Sequence, residues 1–228
     1  MLSRADSEIL APLSTPTLAD QVADRIVEAI ASRRLVSGQR LIETDLATSL
    51  GVSRAPVREA SRILASQGIM VPSPRRGMRV ANFDKAWAVQ LHNARVAIER
   101  LAAHLVADNL QENPKLIASL DAKILLIERA VTNPDDGWFT INKADIAFHD
   151  TVFDLAGSPL LSTLWSAISR HVFLMFAIET YRDTKFERVS EEHHAYVEAL
   201  KSNSTECIDI EIKKHVAGAR IFNGDMEI

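Results

Sequence analysis

The chain has 228 residues, 47% of them apolar and 25% charged, with a formal net charge of −4. That apolar share can bury a core but is too small for a membrane protein, and the length suits one large domain or two small ones. No uninterrupted apolar run reaches the roughly 18 residues of a membrane span. The opening MLSRADSEILAPLSTPT has acids and prolines where a signal peptide needs an apolar stretch. The expectation is therefore a cytoplasmic protein without membrane contact. Cys207 is the single cysteine, so no intramolecular disulfide can form, and it reads as a small core residue.

The negative total hides an uneven distribution. Residues 17–80 hold ten arginines, no lysine and six acids, a net of +4, whereas residues 81–228 carry a net of −7. A DNA-binding surface needs only a local positive field, so a basic module joined to an acidic one remains compatible with nucleic-acid binding.

Residues 1–16, with Pro12 and Pro16 and no sustained period, read as a mobile arm. From Thr17, a candidate N-cap, apolar residues recur at Leu18, Val22, Ala23, Ile26, Val27 and Ile30, predicting an amphipathic helix that ends near Arg34. A second helix is predicted over 44–50, closed by Gly51 in the left-handed conformation. Ser53 then stands where an N-cap is needed for a helix over 54–67, with Pro56 in the first turn, where its missing N–H costs nothing. Two short strands, 69–71 and 78–81, flank the loop PSPRRG as a hairpin wing. Beyond Phe83 the period is helical throughout, with helices expected over 84–109, 114–132, 137–156, 159–181, 185–201 and 204–222. The fold class is mainly α: an arm (1–16), a winged helix-turn-helix (17–81) and an all-α bundle (82–228).

A recognition helix needs one buried face and one polar face that reaches base edges. Val57, Ala60, Ser61 and Leu64 form the inward stripe, and Arg54, Arg58 and Arg62 recur on the outward face. Arginine forks match guanine O6 and N7, so Arg54 and Arg58 are assigned to bases, and Ser53 and Arg62 to phosphates. Arg75 and Arg76 on the wing are expected at phosphates or in the minor groove. The alternative for a lone helix is a solvated basic face, but here it follows a short helix, a glycine turn and a serine. The stretch SGQRLIETDLATSLGVSRAPVREASRILASQGIMVPSPRRGMRVANF closely resembles the N-terminal signature of GntR-family regulators. The resemblance implies DNA contacts for Arg54, Arg58 and Gly77. Thr44 departs from it, since many members carry arginine there.

In the acidic half, Asp145 and His149 lie four apart in INKADIAFHD, so a helix projects both from one face, a spacing suited to a shared metal or to a plain surface pair. His193 and His215 fall on the last two helices, so three helices could converge on one ion. These segments resemble the helical FCD effector domain of a large GntR subgroup over about residues 84–222. Its metal motif, D-x-x-x-H, a His after paired acids and a last His on the final helix, carries over onto Asp145, His149, His193 and His215. Ser158 replaces a common Asn, a helix-cap change. Three imidazoles and a carboxylate suit a divalent ion, with Zn²⁺ the first choice and Ni²⁺, Co²⁺, Fe²⁺ or Mn²⁺ compatible.

The resemblance implies a small organic acid effector bound at the metal, with Arg95 and Arg170 as candidate contacts. Arg95 stands in R-V-A-I-E and is open to the alternative of an i, i+4 ion pair with Glu99. His92, His104, His171 and His194 read as ordinary imidazoles. The expected function is a homodimeric repressor whose affinity for a palindromic double-stranded operator follows the effector. The rivals are a metalloenzyme fused to a DNA-binding module, for which no catalytic motif is present, and a dimerisation platform with a structural metal.

Overall fold

The computed structural model describes residues 17–74, 77–133, 137–182 and 186–216. The expected arm at 1–16, Arg75, Arg76 and the expected continuation of the last helix to residue 222 lie outside the described residues. Among the described residues there are nine α-helices, a 3₁₀ turn and one three-stranded sheet.

Helix α1 (Leu18–Ala31) starts with a reciprocal cap. Thr17 Oγ1 accepts from the Asp20 N–H at 3.1 Å, and the Asp20 carboxylate accepts from the Thr17 N–H at 3.3 Å. This satisfies two of the N–H groups that a helix start leaves orphaned. The helix stops before Arg34 because Arg33 enters the left-handed region at φ 58°. Helices α2 (Glu43–Leu50) and α3 (Arg54–Ser66) are joined through Gly51, whose φ of 65° turns the chain. Val57, Ala60, Ser61 and Leu64 of α3 are all buried against α1 and the sheet, as the stripe requires. Strand β1 (Arg40–Leu41) was not foreseen, since two residues carry no period. It completes an antiparallel sheet in the order β1-β3-β2 with β2 (Met70–Pro72) and β3 (Met78–Val80).

Asp84 caps helix α4 (Lys85–Glu112) by accepting from the Trp87 N–H at 2.9 Å. After a 3₁₀ turn at Pro114–Leu116 come α5 (Ile117–Thr132), α6 (Gly137–Leu155), α7 (Pro159–Arg182), α8 (Glu187–Ser202) and α9 (Thr205–Val216). Ser158 keeps the capping role expected at its position, its hydroxyl accepting from the Leu161 N–H at 3.4 Å. These helices enclose a core that includes Val106, Ile124, Phe148, Phe153, Trp165, Tyr196 and Ile212. Cys207 is exposed, which corrects its reading as a core residue.

Helix α7 serves two cores. Leu161, Trp165 and Val172 belong to the C-terminal bundle, whereas Phe173 and Leu174 pack in the cluster that holds Val57 and Leu64 of α3. Its segment Pro159–Ala177 is long and apolar enough, by length and composition, to cross a membrane. The sequence reading missed this because serines, Arg170 and His171 interrupt the run. In the fold Leu161, Trp165, Val172, Phe173 and Leu174 of this segment are buried in the two cores, whereas Leu160 and Leu164 are exposed.

Phe173 is 8% exposed and sits edge-on to Phe139 with ring centroids 5.7 Å apart. Phe173→Ala should cost about 3 to 5 kcal/mol. Because it bridges the two cores, calorimetry should resolve a separate low-temperature transition of the N-terminal domain. A single transition with the parent's midpoint would contradict this.

Candidate metal centre and nucleic-acid interface

The outward face of α3 presents Arg54, Arg58 and Arg62, all exposed. Two are lightly held: Arg62 Nη1 meets Glu59 Oε1 at 2.6 Å, and Arg58 Nε lies 3.5 Å from Glu43 Oε2. Exposed pairs of this kind contribute little, so both guanidiniums can be redirected to another anion. Ser53 occupies the N-cap position but its side chain makes no capping bond, which corrects the sequence reading and leaves an exposed hydroxyl. Gly77 has φ 87°, and a Cβ there would stand 3.4 Å from the Leu41 carbonyl oxygen, so backbone shape and close approach to β1 both favour glycine. The sheet also adds a feature sequence reasoning missed. Arg40 of β1 and Arg79 of β3 are directly paired, two like charges side by side on an exposed face. Such a pair is unfavourable in an isolated protein and lessens in cost next to an anion.

In the C-terminal domain, the i, i+4 spacing on α6 does bring Asp145 and His149 to one face. His193 from α8 and His215 from α9 converge on it. His149 and His193 are 0% and 1% exposed, and the three imidazoles each offer a nitrogen within 4.8 Å of the others. Ligand atoms that share an ion at about 2.0 to 2.1 Å lie about 2.9 to 3.4 Å apart. His149 Nε2 and His215 Nε2 are separated by 3.3 Å, and His193 Nε2 and Asp145 Oδ1 by 3.2 Å.

Hydrogen-bond geometry shows why a cation fits. His193 Nδ1 lies 2.6 Å from the Val189 carbonyl oxygen and donates to it, which leaves Nε2 as the ring atom aimed into the cluster. Nε2 faces the Asp145 carboxylate at 3.2 Å without a well-formed hydrogen bond. His149 Nε2 accepts from Arg95 Nη2 at 2.8 Å, which puts the proton of its neutral ring on Nδ1, 3.2 Å from Glu99 Oε2. Glu99 thus stands behind a candidate ligand as a carboxylate that orients it. Within the cluster Glu99 Oε2, Asp145 Oδ2, His149 Nδ1, His193 Nε2, the Tyr196 hydroxyl and His215 Nδ1 are buried without a well-formed hydrogen bond. A cluster so rich in inward-pointing lone pairs suits a divalent ion on Asp145, His149, His193 and His215.

The electrostatics agree. Burial works to raise the Glu99 carboxyl, but Arg95 and then His149 outweigh it and hold it at about 2. Asp145 is likewise held below the usual carboxylate range: His193, His149 and Arg95 overcome its burial. Burial, with His193, His149 and Arg95 beside it, pushes His215 well below its ordinary value, keeping the ring neutral as a ligand must be.

The comparisons follow this division. A family model described as "Bacterial regulatory proteins, gntR family" matches residues 18–80, and one described as "FCD domain" matches residues 90–218. The chain belongs to the GntR family, in its FCD branch. It is 30% identical over 206 residues to the "Probable D-xylose utilization operon transcriptional repressor" of Paenarthrobacter nicotinovorans, covering 90% of this chain and 88% of that one. It is 24% identical to the gluconate operon transcriptional repressor of Bacillus subtilis, over 83% of this chain and 78% of the relative. The solved structure of E. coli McbR/YncC has the same fold, with a TM-score of 0.71 at 21% identity, covering 90% of this chain and 96% of that chain. This GntR protein is therefore a DNA-binding transcription regulator, and the families and relatives it matches are regulators, not enzymes.

Of the sequence-predicted effector contacts, Arg95 reaches the regulator's cluster. It forms the foreseen ion pair with Glu99 and, at 1% exposure, also touches His149. Arg170 is corrected. Its guanidinium is engaged by Asp24 at 2.9 Å, Asp20 at 3.6 Å and Gln67 at 3.4 Å, at the junction of the two domains. Glu99 was legible as the acid of R-x-x-x-E but not as the partner of His149. Tyr196 gave no sequence signal. His194 is exposed and meets Glu128 at 2.9 Å, consistent with its place about 100° around the helix from His193.

These shifts set a pH dependence. His215 is held neutral when folded, whereas the unfolded chain takes up a proton near the ordinary 6.5, so acid favours unfolding below that value. Glu99 adds a second loss, because its stabilisation is full above its ordinary 4.5 and disappears as the pH falls towards about 2. Chelator-treated protein should show a melting temperature that is highest near neutrality and declines from about pH 6.5 downward. A midpoint flat between about pH 7.5 and 5.5 would contradict the burial of a neutral His215.

Proposed function

We propose that this regulator is an effector-responsive, operator-binding repressor whose C-terminal domain holds one divalent ion, with a small carboxylate beside it. The observation that carries the reading is the convergence of Asp145, His149, His193 and His215, with His193 Nε2 3.2 Å from Asp145 Oδ1 and His215 Nε2 3.3 Å from His149 Nε2, separations that suit ligands sharing one cation. Asp145, His149, His193 and His215 hold the ion, with Zn²⁺ the first choice among Zn²⁺, Ni²⁺, Co²⁺, Fe²⁺ and Mn²⁺. When bound, it supplies a Lewis-acidic centre that attracts an anionic ligand. Glu99 and Asp145 bring two negative charges, and Arg95 and a divalent ion three positive ones. The surplus favours an anion, and Arg95, turning from His149, is the donor that would clamp a carboxylate.

On the DNA side, Arg54 and Arg58 read base edges, Ser53 and Arg62 contact phosphates, and Arg75, Arg76 and Gly77 belong to the wing contact. One short recognition helix reads few base pairs, which supports a homodimer on a palindromic operator. The repressor role is supported by the names of the xylose and gluconate operon relatives. The place of action is the cytoplasm, with the chromosome.

Two experiments test this. Elemental analysis of purified protein should find one ion per chain, lost in the His149→Ala, His193→Ala double variant; an unchanged content refutes the site, and an effector response that survives complete metal removal refutes the sensing role. In operator titrations, Arg54→Ala should cost about 1 to 3 kcal/mol and relax sequence preference. Equal losses on operator and random DNA would remove Arg54 from base reading.

A further inference from the structure

The contacts that seat α3 on its own domain come from Val57, Ala60 and Leu64, which are fully buried apolar side chains. Phe173 and Leu174 of α7 pack in the same apolar core and tie the two domains together, and polar bonds at the end of α3 add directionality to that seat. Direction comes from the residue that ends the helix. Gln67, the C-cap of α3, makes three hydrogen bonds with α7, accepting two and donating one. His171 Nε2 meets the Gln67 carbonyl oxygen at 2.7 Å, Arg170 Nη1 donates to Oε1 at 3.4 Å, and Gln67 Nε2 donates to the Ser166 carbonyl oxygen at 3.2 Å. Chemistry fixes the sense of the first. Trp87 Nε1–H is a donor only and lies 3.0 Å from His171 Nδ1, so the proton of the neutral ring sits on Nε2 and points at Gln67. Burial holds His171 below its ordinary value, which favours this neutral form.

Arg170 extends the grip to α1 through Asp20 and Asp24, and Lys143 of α6 adds a 2.8 Å contact to Glu28. Next to Ser166, Trp165 donates to Asp150 at 2.6 Å and lies with its ring 5.8 Å from that of His149. One turn of α7 therefore touches both the histidine cluster and the end of the recognition helix.

We infer that Gln67 is a positioning residue for DNA recognition: its three bonds to α7 set the orientation of the recognition helix against the C-terminal domain. Gln67 lies at the opposite end of α3 from Arg54 and bonds to the C-terminal domain. Gln67→Ala removes its two side-chain bonds and keeps the His171 bond to its backbone carbonyl, and Arg170→Met removes the Arg170 arm, so in each the N-terminal domain shifts on its apolar seat while the outward arginines of α3 stay intact.

The test uses the full chain with nitroxide labels on the natural, exposed Cys207 of α9 and on a Ser49→Cys substitution at the exposed end of α2. The doubly labelled chain is diluted into unlabelled protein so that only distances within one chain are read. The parent should give one narrow distance population, and Gln67→Ala and Arg170→Met should each broaden or shift it without a comparable fall in melting temperature. On an operator selected by the parent from a random duplex pool, both variants should bind about 5-fold or more weakly, while a random duplex of equal length is bound as before. An unchanged distance distribution in both variants, an unchanged operator affinity, or equal losses on operator and random duplex overturns the inference. None of these readings depends on whether the histidine cluster holds metal, so failure here and failure of the sensing proposal remain distinguishable.

Discussion

Two carboxylates, a guanidinium and three imidazoles share the interior of the C-terminal bundle, and such groups are tolerated in a low-dielectric core only if charges and lone pairs find partners. Arg95 and Glu99 meet that demand on one side, one turn apart on α4. His149 extends the pair by accepting from Arg95 at Nε2, with Nδ1 lying 3.2 Å from Glu99 Oε2 short of a well-formed hydrogen bond. On the other side, Asp145, His193 and His215 are left with inward-facing atoms that protein groups do not satisfy. The arrangement of α4, α6, α8 and α9 follows from bringing these residues together, and the rings of Phe148, Tyr196 and Trp165 wall the cluster from water.

Two helices run from the histidine cluster to the N-terminal domain. Helix α6 carries Asp145 and His149 towards the cluster, and Lys143 towards Glu28 of α1. Helix α7 carries Trp165 beside His149, and Phe173 and Leu174 into the N-terminal core. A cleft of about 370 Å³ lies where α1 meets α6 and α7, lined by Asp24, Glu28, Lys143, Asp150 and Arg170 among others. Asp150 on its wall is pushed up by burial, with the bond from Trp165 opposing this.

Much of this architecture was written locally. Caps, glycine turns and helical periods act over a few residues, so Thr17, Gly51, the buried stripe of α3 and most helix ends were placed within a few residues by spacing alone. The metal candidates were legible for the same reason in part: Asp145 and His149 share a face by periodicity. His193 and His215 needed the family's motif, because nothing local ties α8 and α9 to α6.

Composition and spacing alone yield the division into a basic reader and an acidic helical domain, the outward arginines of α3, and the residue types able to bind an ion. Which partners those side chains find depends on how the helices pack. Arg170 reads as an effector contact from its charge, yet packing of α7 on the N-terminal domain gives it to Asp20, Asp24 and Gln67. Glu99 reads as half of a helical ion pair, yet the approach of α6 makes it the partner of His149 as well. Cys207 reads as core and lies at the surface. In each case periodicity fixes the face of a helix, while the neighbour that meets that face is chosen by contacts far apart in the chain, where burial and charge compensation outweigh local preference.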